Sequence, residues 1–278
     1  MVVPILELQE LRGEQVVAIC EPEFFVSGDC ERLHSSGHRI LWGNEMMHVF
    51  PGESDAYARR HIDHTLFVSE EQRQSFTPHI GEVSHTVVGN FIHPDLFPFV
   101  QRNHERPTLG RLSRPDPSKY PVNFPLFYRD LLVPDARYRV KAWSADLATA
   151  FSWYPFGEDW ELLSHDEGSA VTFLHSIDLF VYPLGHRFVE SWGRSTVEAL
   201  LTGAIPFVPA GHSFHHLIRH EESGFICGRY EDWRYYVAQV VADPSLRRRL
   251  GERCADHARR DLCGIDHHLE LWNHALAV

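Results

Sequence analysis

The chain has 278 residues and a formal charge of −12, with 44% hydrophobic and 23% charged residues, the balance of a globular protein long enough for two modest α/β domains. Such an excess of negative charge excludes nucleic acid or an anionic membrane as a general partner, because both reward basic surface. No apolar run approaches the roughly 20 residues that cross a bilayer, and the acidic opening MVVPILELQELRGE is unlike a secretion signal, so a cytoplasmic location is expected.

The five cysteines, Cys20, Cys30, Cys227, Cys254 and Cys263, form no C-x-x-C pair. Scattered reduced thiols are expected, without disulfides or a zinc site. Lysine occurs only at Lys119 and Lys141, so a bound phosphate has to be held by a local arrangement of charge.

In chain order, residues 16–19, 39–42, 65–68 and 86–88 are short apolar or β-branched runs that predict buried strands, and 53–61 and 70–76 predict helices between them. This alternation points to a parallel sheet covered by helices. Asn90 follows the last of these strands, and His48 lies in the loop after the second. The polar, proline-containing stretch 101–107 predicts a linker. The strand 108–112 then runs into Ser113, Arg114, Pro115, Asp116, Pro117, Ser118 and Lys119. A guanidinium forks onto phosphate oxygens and an ammonium serves as a point charge, so Arg111, Arg114 and Lys119 are candidate diphosphate ligands. Residues 124–132 predict a helix, 137–143 a strand and 146–151 a helix.

The most informative stretch is IDLFVYPLGHRFVESWGRSTVEALLTGAIPFVP, residues 177–209. It predicts a strand over 177–182, a polar loop, a helix capped at its C-terminus by Gly203 and a second strand over 205–208. Glu190 and Glu198 thus bracket a helix N-terminus at the carboxyl end of a parallel strand, where ligands sit in open α/β sheets. A helix N-terminus attracts phosphate and Gly193 allows close approach, whereas the carboxylates are suited to accept hydrogen bonds from hydroxyl groups.

The Glu-x7-Glu spacing, with Ser191-Trp192-Gly193-Arg194-Ser195 inside it, and the opening Gly110-Arg111-Leu112-Ser113-Arg114-Pro115-Asp116-Pro117-Ser118-Lys119 resemble the retaining GT-B glycosyltransferases of the large bacterial family four. The resemblance is strongest over 108–225. It implies an α/β fold of two Rossmann-like domains facing each other across a cleft, the first abbreviated: residues 1–100 on the acceptor side, 101–262 for the nucleotide sugar, and 263–278 as a helix crossing back to the first domain. It further implies transfer of a sugar from a nucleoside diphosphate sugar to a saccharide, lipid-linked or natural-product hydroxyl. Glu190, Arg111 and Lys119 would carry catalysis. Glu198 would hold the ribose, with Trp192, Gly193, Arg194, Ser195, Gly110, Arg114, Asn90 and His48 around the donor, and a loop near Trp143 or Leu162 would pack on the base. No metal and no cofactor are implied. The alternative is a non-catalytic nucleotide-sugar-binding subunit whose partner chain supplies the acceptor domain; a homo-oligomer is also compatible.

Two histidine pairs, His61 with His64 and His216 with His220, have spacings that could share a helix face, but no His-Glu-x-x-His accompanies them and a metal hydrolase is disfavoured. Walker A, G-x-G-x-x-G and G-x-S-x-G sequences are absent.

Overall fold

The computed structural model describes residues 13–114, 116–142, 144–164 and 166–278. The expectations placed on the first twelve residues, Pro115 and Trp143 lie outside that set. The chain divides into two units: one runs to Asn90 and includes Glu190–Trp192 and Ile265–Val278, and the other comprises Phe91–Val189 and Gly193–Gly264.

The first unit has a parallel sheet of four strands, β1 (Gln15–Ile19), β2 (Arg39–Gly43), β3 (His64–Phe67) and β4 (Ser84–Val87), in the order β1-β2-β3-β4. Each step moves the same way, so right-handed crossovers deliver the intervening helices Glu23–Val26, Asp29–Ser35, Glu53–Ala58 and Glu70–Ile80 to one face. There Phe24, Leu33, Tyr57, Phe76 and Ile80 pack on Ile40, Trp42 and Phe67. Leu41 and Leu66, alternating to the other face, are covered by Ala275 and Trp272 of the terminal helix Ile265–Ala277. Among the described residues β1 is an edge strand, with Val17 37% and Ile19 45% exposed.

A buried carboxylate organises the loop after β2. Glu53, fully buried, accepts from the Trp42 indole N–H (2.7 Å), the Asn44 amide (2.9 Å) and the Phe50 backbone N–H (2.8 Å). Burial still pushes its pKa up against these donors. Gln72 closes the same loop by donating to the carbonyls of Asn44 and Met46.

The second unit has six parallel strands: β5 (Thr108–Leu112), β6 (Arg137–Ala142), β7 (Trp160–Ser164), β8 (Leu179–Val181), β9 (Ile205–Pro209) and β10 (Phe225–Cys227). Their order is β10-β9-β8-β5-β6-β7. From β5 the chain works outward through β6 and β7, then returns beside β5 at β8 and works outward the other way. The seam between β5 and β8 is therefore a topological switch point.

The opening segment of the first unit runs to Asn90, and the second unit reaches Gly264. The stretch expected to be a linker is instead fastened to the second unit. Arg102 donates to the carbonyls of Thr202 and Leu174, both at 2.8 Å, and His104 pairs with buried Asp178 at 3.1 Å.

Removing the Glu53 carboxylate leaves the buried Trp42 indole N–H and the part-buried Phe50 N–H without their acceptor. Glu53→Ala is expected to cost about 3 kcal/mol of stability, measured by thermal or urea unfolding; a loss below about 0.5 kcal/mol would mean that the loop is held by other contacts.

Candidate functional site

The carboxyl ends of β5 and β8 are joined by the buried guanidinium of Arg111. It donates to the Pro183 carbonyl and, at 2.8 Å, to the Lys119 carbonyl. Its planar group lies between the rings of Tyr120 and Tyr182, 4.2 and 4.4 Å from their centroids. The Gly185 N–H also donates to the Lys119 carbonyl, at 3.1 Å. A Cβ at Gly185 would fall 2.1 Å from the Ser118 carbonyl oxygen, so only glycine lets the two loops approach this closely.

Arg111 is wholly buried and donates to two carbonyls, bracing the loops. At Gly110 a Cβ would meet Ile177 at 2.5 Å and the Arg139 carbonyl at 3.1 Å, so glycine is required there by packing inside the sheet. Arg114 is exposed just beyond β5.

Both lysines are buried at this edge of the sheet, Lys119 6% and Lys141 3% exposed. The Lys119 ammonium sits 3.5 Å from the Tyr182 hydroxyl and 4.6 Å from the centre of the Phe188 ring. Lys141 donates to the carbonyls of Ser164 (3.0 Å) and Glu167 (2.7 Å), closing the turn after β7.

The helix Arg194–Thr202 begins at Gly193, whose φ of 95° and ψ of 50° suit glycine, and ends at Gly203 with a φ of 82°. A Cβ at Gly193 would lie 2.9 Å from the Phe214 ring and 3.2 Å from Leu217 Cδ1. The first backbone N–H groups of this helix have no intrahelical acceptor. In its first turn the buried Thr196 hydroxyl has no hydrogen-bond partner among the described residues. Nothing in the pattern of residues singled out Thr196, which reads as an ordinary helix position.

Glu198, one turn further on, is 8% exposed and accepts from Arg194 Nε at 3.0 Å. Burial raises its pKa, and Arg194 only partly opposes that. Ser195 is half-buried. Glu190 and Trp192 are both buried and are grouped with the first unit, where Trp192 lies close to Gly89. Asn90, half-buried, and His48, exposed with its ring against Phe50, belong to that unit as well.

The histidine pairs do not assemble as zinc pairs. His64 is buried with its ring nitrogens 2.9 Å from Ser84 Oγ and Thr86 Oγ1, whereas His61 stacks against His34. His220 is engaged by the Ile226 N–H and the Tyr236 hydroxyl.

Residues 157–257 match the family described as glycosyl transferases group 1. HepE of Anabaena, solved with UDP-glucose, superimposes with a TM-score of 0.78 at 13% identity, over 99% of this chain and 81% of that one. The fold is GT-B. S. aureus TarM gives a TM-score of 0.80 at 13% identity over 99% of this chain and 57% of TarM. Sucrose-phosphate synthase from Thermosynechococcus elongatus gives 0.74 at 13% identity over 95% and 74%. Comparison with curated protein sequences yields no match. Among the described residues no helix is long and apolar enough to cross a membrane.

Within this GT-B fold, Gly193→Ala is expected to cost on the order of 1–2 kcal/mol from backbone conformation, with added crowding against Phe214, read as a lowered melting temperature. Glu198 gives the opposite sign. A carboxyl whose pKa rises on folding binds its proton more readily in the native state, so it detracts from stability once the pH exceeds that raised value. Glu198→Gln is therefore expected to melt higher than the parent at neutral pH, with the gap closing as the pH falls toward the 4.5 of an unperturbed glutamate.

Proposed function

We propose that the chain transfers a sugar, with retention of anomeric configuration, from a nucleoside diphosphate sugar to a hydroxyl of a saccharide, lipid-linked or natural-product acceptor. The observation that carries this is the β5/β8 switch point, where the braced Lys119 loop leaves β5 and the chain after β8 leads into the 194–202 helix. The family match over 157–257 and the UDP-glucose and UDP in the HepE structures support it.

In this scheme the diphosphate lies against Lys119, Arg114 and the first turn of the 194–202 helix, with Ser195 and Thr196 offering hydroxyls. Arg111 acts from behind by holding the Lys119 and Pro183 carbonyls in place. Glu198 accepts from the ribose and Glu190 orients the donor sugar, with Trp192, Asn90 and His48 on the sugar side. As the glycosidic bond breaks, negative charge grows on the leaving diphosphate, and preorganised cations and helix N–H groups oppose it without reorganising. The leaving phosphate takes the acceptor proton. Neither a protein nucleophile nor a divalent metal is required.

Calorimetric titration with UDP, GDP, ADP and TDP in EDTA tests this. One diphosphate is expected to bind. Lys119→Met is expected to weaken it at least about tenfold, the scale of a charge-assisted hydrogen bond, and Glu198→Ala to weaken it as well. Glu190→Ala is expected to retain nucleotide affinity while losing turnover; equal loss of affinity in both glutamate variants would remove the division of roles. Turnover that depends absolutely on Mg²⁺ would overturn the metal-free scheme.

A second reading, a donor-binding subunit completed by a partner chain, draws on the four-stranded first sheet and the β1 edge, where Val17 and Ile19 are exposed among the described residues. Nucleotide binding without transfer or hydrolysis by the isolated chain would favour it.

A further inference from the structure

The helix Pro244–His257 continues into a wider turn over Ala258–Leu262, with i→i+5 backbone bonding. Such π-turns recur at functional sites. This one places three side chains that the proposed chemistry does not use.

His257 is 6% exposed. Its Nδ1 is 2.7 Å from Asp261 Oδ2 and its Nε2 is 3.0 Å from the Leu217 carbonyl oxygen. The imidazole thus bridges a carboxylate and a backbone carbonyl through its two ring nitrogens. Arg219 approaches the same Asp261 oxygen at 3.2 Å. The hydrogen bond from His257, together with Arg219, holds the Asp261 carboxyl below the usual range. The bridge therefore joins a carboxylate on the π-turn to the end of the Ser213–His216 turn, 40 residues earlier in the chain.

That turn forms the wall behind Gly193. Phe214 and Leu217, both fully buried, are the side chains nearest the position of a Cβ there. The same π-turn grips the other end of the helix: Arg259 Nη1 donates at 2.9 Å to the Leu201 carbonyl and Nη2 at 3.2 Å to that of Phe97. One segment thus fixes the 194–202 helix at its start, through Leu217 and Gly193, and at its end, through Leu201.

We infer that His257 is a positioning residue for the nucleotide site: by holding the Leu217 carbonyl it seats the Phe214–Leu217 wall against Gly193 and so sets where the N-terminal N–H groups of the 194–202 helix point. This rests on the proposed nucleotide binding. It acts through packing and touches no ligand. Loss of the bridge lets the wall shift by fractions of an ångström, which the helix start follows because Gly193 has no slack against either side chain.

The test is titration of the full chain and two variants, His257→Ala and His257→Gln, with UDP, GDP, ADP and TDP, alongside their melting temperatures. Glutamine keeps an N–H donor within reach of the Leu217 carbonyl; alanine has none. For the diphosphate that the parent binds, His257→Ala is expected to bind about tenfold more weakly, and His257→Gln to regain most of that affinity. Unchanged affinity in His257→Ala overturns the inference and leaves the nucleotide site standing. Equal weakening in both variants, tracking equal falls in melting temperature, also overturns it, since a general loss of packing then accounts for the effect. No binding by the parent overturns the nucleotide reading itself and the inference with it.

Discussion

A charged group buried between two loops is costly unless rings and acceptors are packed against it, and the seam of the second sheet is built around such a group, whose Nε alone is left without an acceptor among the described residues. The Arg111 guanidinium has tyrosine rings above and below and backbone carbonyls at its edge. Those carbonyls belong to the two loops that leave the sheet at its switch point, so the cation measures the gap between them. Tyr128 adds a second tie from below by donating its hydroxyl to the Val181 carbonyl. In the proposed function the diphosphate lies where Lys119 comes from one loop and the 194–202 helix begins beyond the other. A site for an extended, doubly charged group needs its loops fixed beforehand, because a loop that must be ordered on binding subtracts its entropy from the affinity.

Much of this was legible in the chain because it rests on local signals. The strand at 108–112 coincides with β5, and Gly193 and Gly203 stand at the two ends of a helix that only an achiral residue could flank so tightly. Pairwise events across long separations were not legible. Arg111 reads as a ligand because a cation at a strand mouth faces outward in most loops; that Tyr120 and Tyr182 close over it is a fact of the fold, not of the spacing. That Gly110 is packed against Ile177 is likewise invisible in the spacing. The polar, proline-containing stretch before β5 reads as a linker, yet Arg102 and His104 find acceptors on helix ends and on Asp178 that lie far along the chain. Thr196 gave no signal at all.

The two units solve the same packing problem in different ways. In the second, the chain reverses direction at β5, and reversal sends helices to both faces of the sheet. In the first, the order β1-β2-β3-β4 never reverses, so the helices between strands serve one face and leave the other bare. The last helix of the chain supplies the missing layer through Trp272 and Ala275. Among the described residues, the second face of the first sheet is thus covered by a helix about 180 residues beyond β4 in the chain.

The placement of the two lysines has a chemical corollary. Both ammonium groups are buried, one at the loop after β5 and one under the turn after β7. The permanent positive charge displayed on the described surface is therefore carried by guanidinium groups, which stay protonated and are poor nucleophiles. Reducing sugars condense with accessible primary amines far more readily than with guanidinium. A protein whose work would keep it among free and activated sugars thus presents them with no exposed lysine side chain to glycate.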